Sequence, residues 1–302
     1  MKTKHHNLIL IYILLLIPTG LFAQKIKEKD KTGENEEKAW ELRGISGLNV
    51  SQTSLSSWQM GGNSSLSGTA HLNASLIHKS KGWLWQNDLA LEYGLTKNGT
   101  STSQKSGDNI DFSSKLGYSS NNKWYYTGTI DFKSQFYKGK LHPKEGKYTS
   151  KFMSPGYVNT SIGIEYRPNK NYSIYLSPIA EKMTFVLDDY LSNHGYYGVR
   201  NGDKLRVETG IYIKSRAEKE LMENVKLITK IDIFTPYDKS FGNFDIDWNL
   251  TINMKINKLL SANLNTTLKY DDNVKYIDKN GDSKGAKVQF KETLGLGISY
   301  NF

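Results

Sequence analysis

Past its N-terminal region the chain carries four histidines, His71, His78, His142 and His194, and no cysteine anywhere. Lipid hydrolysis on a membrane surface would need one of them within hydrogen-bond reach of a nucleophilic serine. His71 shares the parity of Ser67, Thr69 and Asn73, His78 borders a turn, and the other two sit in long connections. None lies beside a serine on an apolar strand face, so no catalytic residue is assigned and an enzyme is not expected. The segment 278–285, DKNGDSKG, offers carboxylates and glycines. It lacks the full ligand series and closing glutamate of a calcium loop. It reads as a surface loop, and no metal or cofactor is expected. Loop tyrosines Tyr148, Tyr190, Tyr196, Tyr197 and Tyr237 read as packing the loops against one another.

Ion pairing has far more residues behind it. Charges of both signs recur on one parity of alternating segments: Arg43, Glu92, Glu181, Asp131, Lys133, Arg206, Glu208, Lys230 and Asp247 among them. If that parity faces the inside of a closed sheet, these side chains line a lumen. A lining of one sign would make a selective pore, whereas a balanced one leaves two outcomes open. The charges bridge across a narrow lumen and close it, or they line a passage for small polar solutes.

What must position them is a set of strands. Residues 287–302 alternate with a period of two and end on Tyr300 and Phe302, the geometry of a strand with one apolar and one wet face. About twelve such segments follow one another, at 40–51, 65–78, 83–96, 109–119, 124–136, 157–166, 172–185, 205–215, 225–234, 244–256, 259–270 and 288–302. Each approaches the length that a tilted strand needs to cross a bilayer. Short connections at 79–82, 120–123, 167–170 and 257–258 alternate with longer ones at 97–108, 137–156, 186–204 and 271–287. That alternation predicts an all-β, antiparallel, up-and-down transmembrane barrel of about twelve strands. One link breaks it: 216–224, containing AEKELMEN, reads as a brief helix. Trp83, Trp85, Trp124, Tyr126 and Tyr172 follow the short turns on the outer parity, where an interfacial belt would lie.

The ends of the chain agree with export. Lys2 and Lys4 precede an apolar run at 8–17 and the sequence Leu21-Phe22-Ala23, which reads as a signal peptide over 1–23. Residues 24–39 are nearly all charged or polar and read as a flexible periplasmic leader, leaving 40–302 for the barrel. A mean hydropathy of −0.56 excludes a helical membrane protein but not a barrel, whose lipid face takes every second residue. The net charge of +10 suits anionic lipid or lipopolysaccharide, and export argues against nucleic acid. The expected location is the outer membrane of a Gram-negative bacterium, with the C-terminal aromatic strand read by the barrel-assembly machinery.

After the first strand come Trp58, Gly61, Gly62 and Asn63, in the pattern W-x-x-G-G-N. With the signal peptide and closing aromatic strand, this resembles an uncharacterised outer-membrane family of Bacteroidota, a domain of unknown function. The resemblance implies a porin-like barrel and supplies no substrate or catalytic residue. The expected work is passive passage of small polar solutes, with loops 137–156 and 186–204 as gates. One alternative is a non-conducting accessory barrel that holds an envelope protein through its loops or leader. Another is a soluble periplasmic β-sandwich.

Overall fold

The computed structural model describes residues 39–55, 63–140, 148–238, 240–277 and 283–302. The expected signal peptide, nearly all of the expected leader, His142, most of the segment 278–285, and Trp58, Gly61 and Gly62 lie outside the described residues.

Twelve long strands close into one antiparallel barrel. In chain order they are β1 (Ala39–Thr53), β2 (Ser65–Ser80), β3 (Trp83–Asn98), β4 (Gln104–Tyr118), β5 (Trp124–Ser134), β8 (Gly156–Asn169), β9 (Tyr172–Phe185), β10 (Leu205–Met222), β11 (Val225–Pro236), β12 (Asp245–Lys255), β13 (Leu260–Tyr270) and β16 (Gln289–Asn301). Two small hairpins rise from the loops, β6 (Gly139–Lys140) with β7 (Tyr148–Ser150), and β14 (Lys275–Ile277) with β15 (Ser283–Ala286). Between β9 and β10 lie a helical turn, α1 (Asp189–Asn193), and a 3-10 turn at Tyr196–Gly198. The closed twelve-strand sheet is incompatible with a two-sheet sandwich.

The turns explain the register. Lys81 and Gly82, with φ of 47° and 83°, join β2 to β3, and Asn224, at 63°, joins β10 to β11. Asparagine and glycine tolerate these left-handed positions best. The expected helix at 216–224 is absent. β10 continues through it, with Ala217 opposite Thr229 and Tyr172, and Glu218 opposite Ile228. Pairing with β9 as far as Ala217 and with β11 as far as Met222 outweighs the local helical preference of the AEKEL segment. The expected long loop at 97–108 is also shorter, because β3 runs to Asn98 and β4 resumes at Gln104.

The barrel is inverted relative to an ordinary globular protein. Its outer face exposes large apolar side chains, such as Ile162 at 70%, Ile179 at 66% and Leu294 at 71%. Its interior buries Gln86, Asp131, Glu165, Lys182 and Glu208. At the short-turn end the outer face carries rings in contact, Trp83 with Tyr118, Trp124 with Tyr166, and Trp40 with both His78 and Trp85.

Candidate functional site: an ion-paired lumen in two chambers

Inward-facing positions of β3, β4, β5 and β8 to β12 bring the charged side chains together. Lys133 on β5 reaches across the lumen to Asp232 on β11 and Asp247 on β12, at 2.9 Å each. Lys214 on β10 binds Asp131 on β5 at 2.6 Å, whose carboxylate also accepts from Ser113. Lys115 pairs with the buried Glu165 at 2.5 Å, and Arg167 donates to Gln86. Charges removed from water this far are tolerated only when paired and hydrogen-bonded. The lattice of pairs is therefore a condition of the fold as well as a barrier.

That lattice divides the lumen. Toward the long loops lies a chamber of about 430 Å³, walled by Tyr157, Tyr212, Phe234, Lys182, Asp245 and Asp271 among others. Below it the space falls to about 80 Å³, lined by Asp88, Asp111, Asp131, Arg216 and Lys230. Lys133 and Asp232 line both chambers, so their pair stands at the partition. The smaller space accommodates no more than a few waters.

The lumen-lining residues expected from parity fall into place unevenly. Lys133 stands at the partition, Asp131 lines the lower chamber and Asp247 the upper one. Arg206 pairs with Glu208, Glu92 pairs with Lys291 at 2.7 Å, Lys230 lines the lower chamber, and Arg43 is half-buried on β1. Asn63 is exposed at the start of the link into β2. Tyr300 stacks on Phe302, and Phe302 exchanges both backbone hydrogen bonds with Gly44, at 2.8 and 3.0 Å.

One strand departs from the expected parity. Tyr175 and Ser177 point inward, but so do Ala180, Lys182 and Thr184, while Glu181 is exposed. The cause is a bulge in β9. Ile162 pairs with Ile179 and Ile164 with Leu176, so β9 holds one extra residue there, and the same shift separates Gly210 from Tyr212 on β10. Pro178 sits in the bulge, where its missing N–H costs no ladder bond. Ser177 closes it, its one hydroxyl proton shared between the carbonyls of Ile162 and Ile179, each 2.7 Å from the oxygen. The bulge turns Lys182 into the upper chamber, where it binds Asp245 at 2.6 Å and Asp271 at 3.0 Å. Parity counting missed Lys182 for this reason, and Pro178 in mid-strand was the available signal. Glu218, paired with Arg216 and Lys226, was missed because its segment read as a helix.

The loops build a cap over part of the mouth. Val186, Leu191 and Val199 form a small apolar core, with Tyr148, Tyr196 and Tyr197 packed against it. Tyr197 donates to the Thr149 carbonyl at 2.6 Å. Asp188 caps α1 through the Leu191 amide and also accepts from Tyr148 and Lys151. Burial raises the affinity of its carboxyl for a proton, but the hydrogen bonds from Lys151, Leu191 and Tyr148 outweigh that and hold it below the usual carboxylate range.

A family described as "Protein of unknown function (DUF3078)" matches residues 50–139, from the upper part of β1 to the start of β6. No curated protein matches the chain. Among solved structures, the chain is similar to the COG4313 outer membrane channel from Pseudomonas putida F1, with 10% identity and a TM-score of 0.38 over 90% of this chain and 100% of that one. It is similar to the NanC porin at 7% identity and a TM-score of 0.36, over 85% of this chain and 98% of that one. The translocator domain of the autotransporter NalP from Neisseria meningitidis gives 7% and 0.34, over 89% and 90%.

Proposed function

We propose that this barrel sits in the outer membrane of a Gram-negative bacterium and forms a narrow passage for small polar solutes, closed at rest by the Lys133 partition. Sheet closure and the apolar outer face support the membrane placement, since strands cross lipid only as barrels in which the ring of strands closes. The ring contacts at the short-turn end fit an interfacial belt. Export by residues 1–23, a periplasmic leader at 24–39, recognition of Tyr300 and Phe302 by the assembly machinery, and contact with lipopolysaccharide belong to the same reading. The observation that carries the passage itself is the two-chamber lumen. A purely structural plug has no need of an upper chamber of about 430 Å³ lined by charge and aromatic rings.

Planar-bilayer recording on refolded protein tests the proposal. The wild type is expected to show small, infrequent openings, and Lys133→Met, which severs the link between β5 and the β11–β12 wall, larger and longer ones. If neither protein conducts, the lumen is a structural plug and the channel reading falls.

A further inference from the structure

The barrel closes between β1 and β16, and it closes only halfway. The two strands pair from Ile45 with Asn301 to Asn49 with Gly297. On their other sides both continue in full register, β1 with β2 up to Thr53 and Ser65, and β16 with β13 up to Gln289 and Lys269. Val50 to Thr53 and Gln289 to Leu296 therefore present strand edges with no ladder partner among the described residues. Exposure agrees: Ser51, Gln52, Thr53 and Gln289 to Glu292 are exposed on both parities, whereas Asp245 to Leu250 on β12 are all half-buried.

The pairing stops at a definable place. Asn49 lies over Gly295 and Gly297, where any Cβ would collide with it, and its Oδ1 is buried without a partner. Beyond it the outer rim of the slot is apolar, with Val50 at 51%, Leu296 at 58%, Leu294 at 71% and Phe290 at 62% exposure. The inner rim is polar. Lys291 reaches past β1 and β2 to Glu92 on β3 at 2.7 Å, and both side chains stay partly exposed, at 46% and 24%. Gln289, next along the same edge, lines the upper chamber with Lys269 and Tyr270. The slot thus adjoins a chamber whose downward path is shut.

The apolar outer rim and the basic group at the inner rim together fit an occupant with an apolar chain and an anionic polar end. We propose that the half-open β1–β16 seam is a lateral portal for a long-chain carboxylate, its chain between Val50 and Leu296 and its head replacing Glu92 on Lys291. Exchange of one carboxylate for another preserves the charge at Lys291. Of the other basic groups on the chamber wall, Lys133 and Lys182 are held by two aspartates each, and Lys269 lies 3.6 Å from Asp247. The inference rests on the membrane placement proposed above but not on conduction through the partition.

The chain has no native cysteine, so a staple can be introduced cleanly. Gln52 and Leu294 would face each other if the ladder continued. The Gln52→Cys/Leu294→Cys protein, in lipid nanodiscs, is treated with a photo-activatable stearic acid, oxidised or reduced, and the labelled residues are mapped. Label is expected at 48–53 and 289–296 in the reduced form, to fall about tenfold on oxidation, and to return on reduction. Lys291→Gln, with the seam unstapled, is expected to lower labelling several-fold. Labelling spread evenly around the barrel, or unchanged by the staple, overturns the portal, and labelling untouched by Lys291→Gln overturns the head-group assignment. Heat-modifiable migration of the same samples reports membrane insertion separately, and channel recording reports conduction, so failure of either reading is distinguishable from failure of this one.

Discussion

In the ring of strands, β1 and β16 stand opposite β9 and β8, and the two walls are built on different principles. The β8–β9 wall is bound from inside. Ser161 joins Thr129 and Tyr175 at 2.7 and 2.9 Å, Glu165 holds Lys115, and Lys182 ties β9 to β12 and to the loop after β13. The seam has little of this. It closes where Gly44 meets Phe302 and where Gly297 lies against the Leu48 carbonyl, through close backbone approach and with one ion pair bridging its open end. The contrast teaches that interior polar bonding, as much as backbone pairing, distributes rigidity around the sheet.

The largest expected difference is in amide exchange. Hydrogen exchange in detergent micelles should find the seam-facing half of the amides at 50–53 and 290–296 exchanging on the order of 10³-fold faster than those of Ser161 or Tyr175, since unpaired edges open without global unfolding. Equal protection on both walls would break the comparison. Next in size, Lys133→Met leaves Asp232 and Asp247 without their shared partner and should cost about 3–5 kcal/mol, read as a lowered urea midpoint. Gly297→Val tests the seam itself. Its side chain would meet the Leu48 carbonyl, and the expected cost is about 1–3 kcal/mol with heat-modifiable migration retained. The smallest effect concerns the cap over the mouth. Because the folded state lowers the affinity of Asp188 for protons, its contribution is complete above the unfolded value of about 3.9 and fades as pH falls through the lower folded value. Exchange at 186–204 should rise in that acidic window before the strands respond, and Asp188→Asn should remove the pH dependence.

The twelve strands were legible because alternation and turn chemistry agree at almost every boundary. In residues 244–256, for example, apolar and polar positions trade places without a break. Parity also selected Asp131, Lys133 and Asp247 for the interior. It could not supply which charge meets which. Lys133 and Asp232 lie 99 residues apart, and their meeting depends on ring order and stagger, which no local pattern encodes. Two failures were local. AEKEL has the composition of a helix and the neighbours of a strand, and the neighbours prevailed. In β9, one extra residue at Pro178 reversed the parity of everything above it.

That bulge behaves like a reading frame. Below it, odd-numbered residues of β9 look into the lumen, and above it even-numbered ones do. Flatten the bulge while keeping every residue and the pairing below it, and the upper half would slip by one: Glu181 would enter the chamber beside Asp245 and Asp271, and Lys182 would turn outward, whereas deleting Pro178 would leave Lys182 facing in. The same letters, shifted by a single place, would exchange the chamber's bridging cation for a fifth wheel of negative charge. Any transplant of this loop and strand into another barrel must therefore carry residues 177–179 with it, or it will carry the sequence and lose the site.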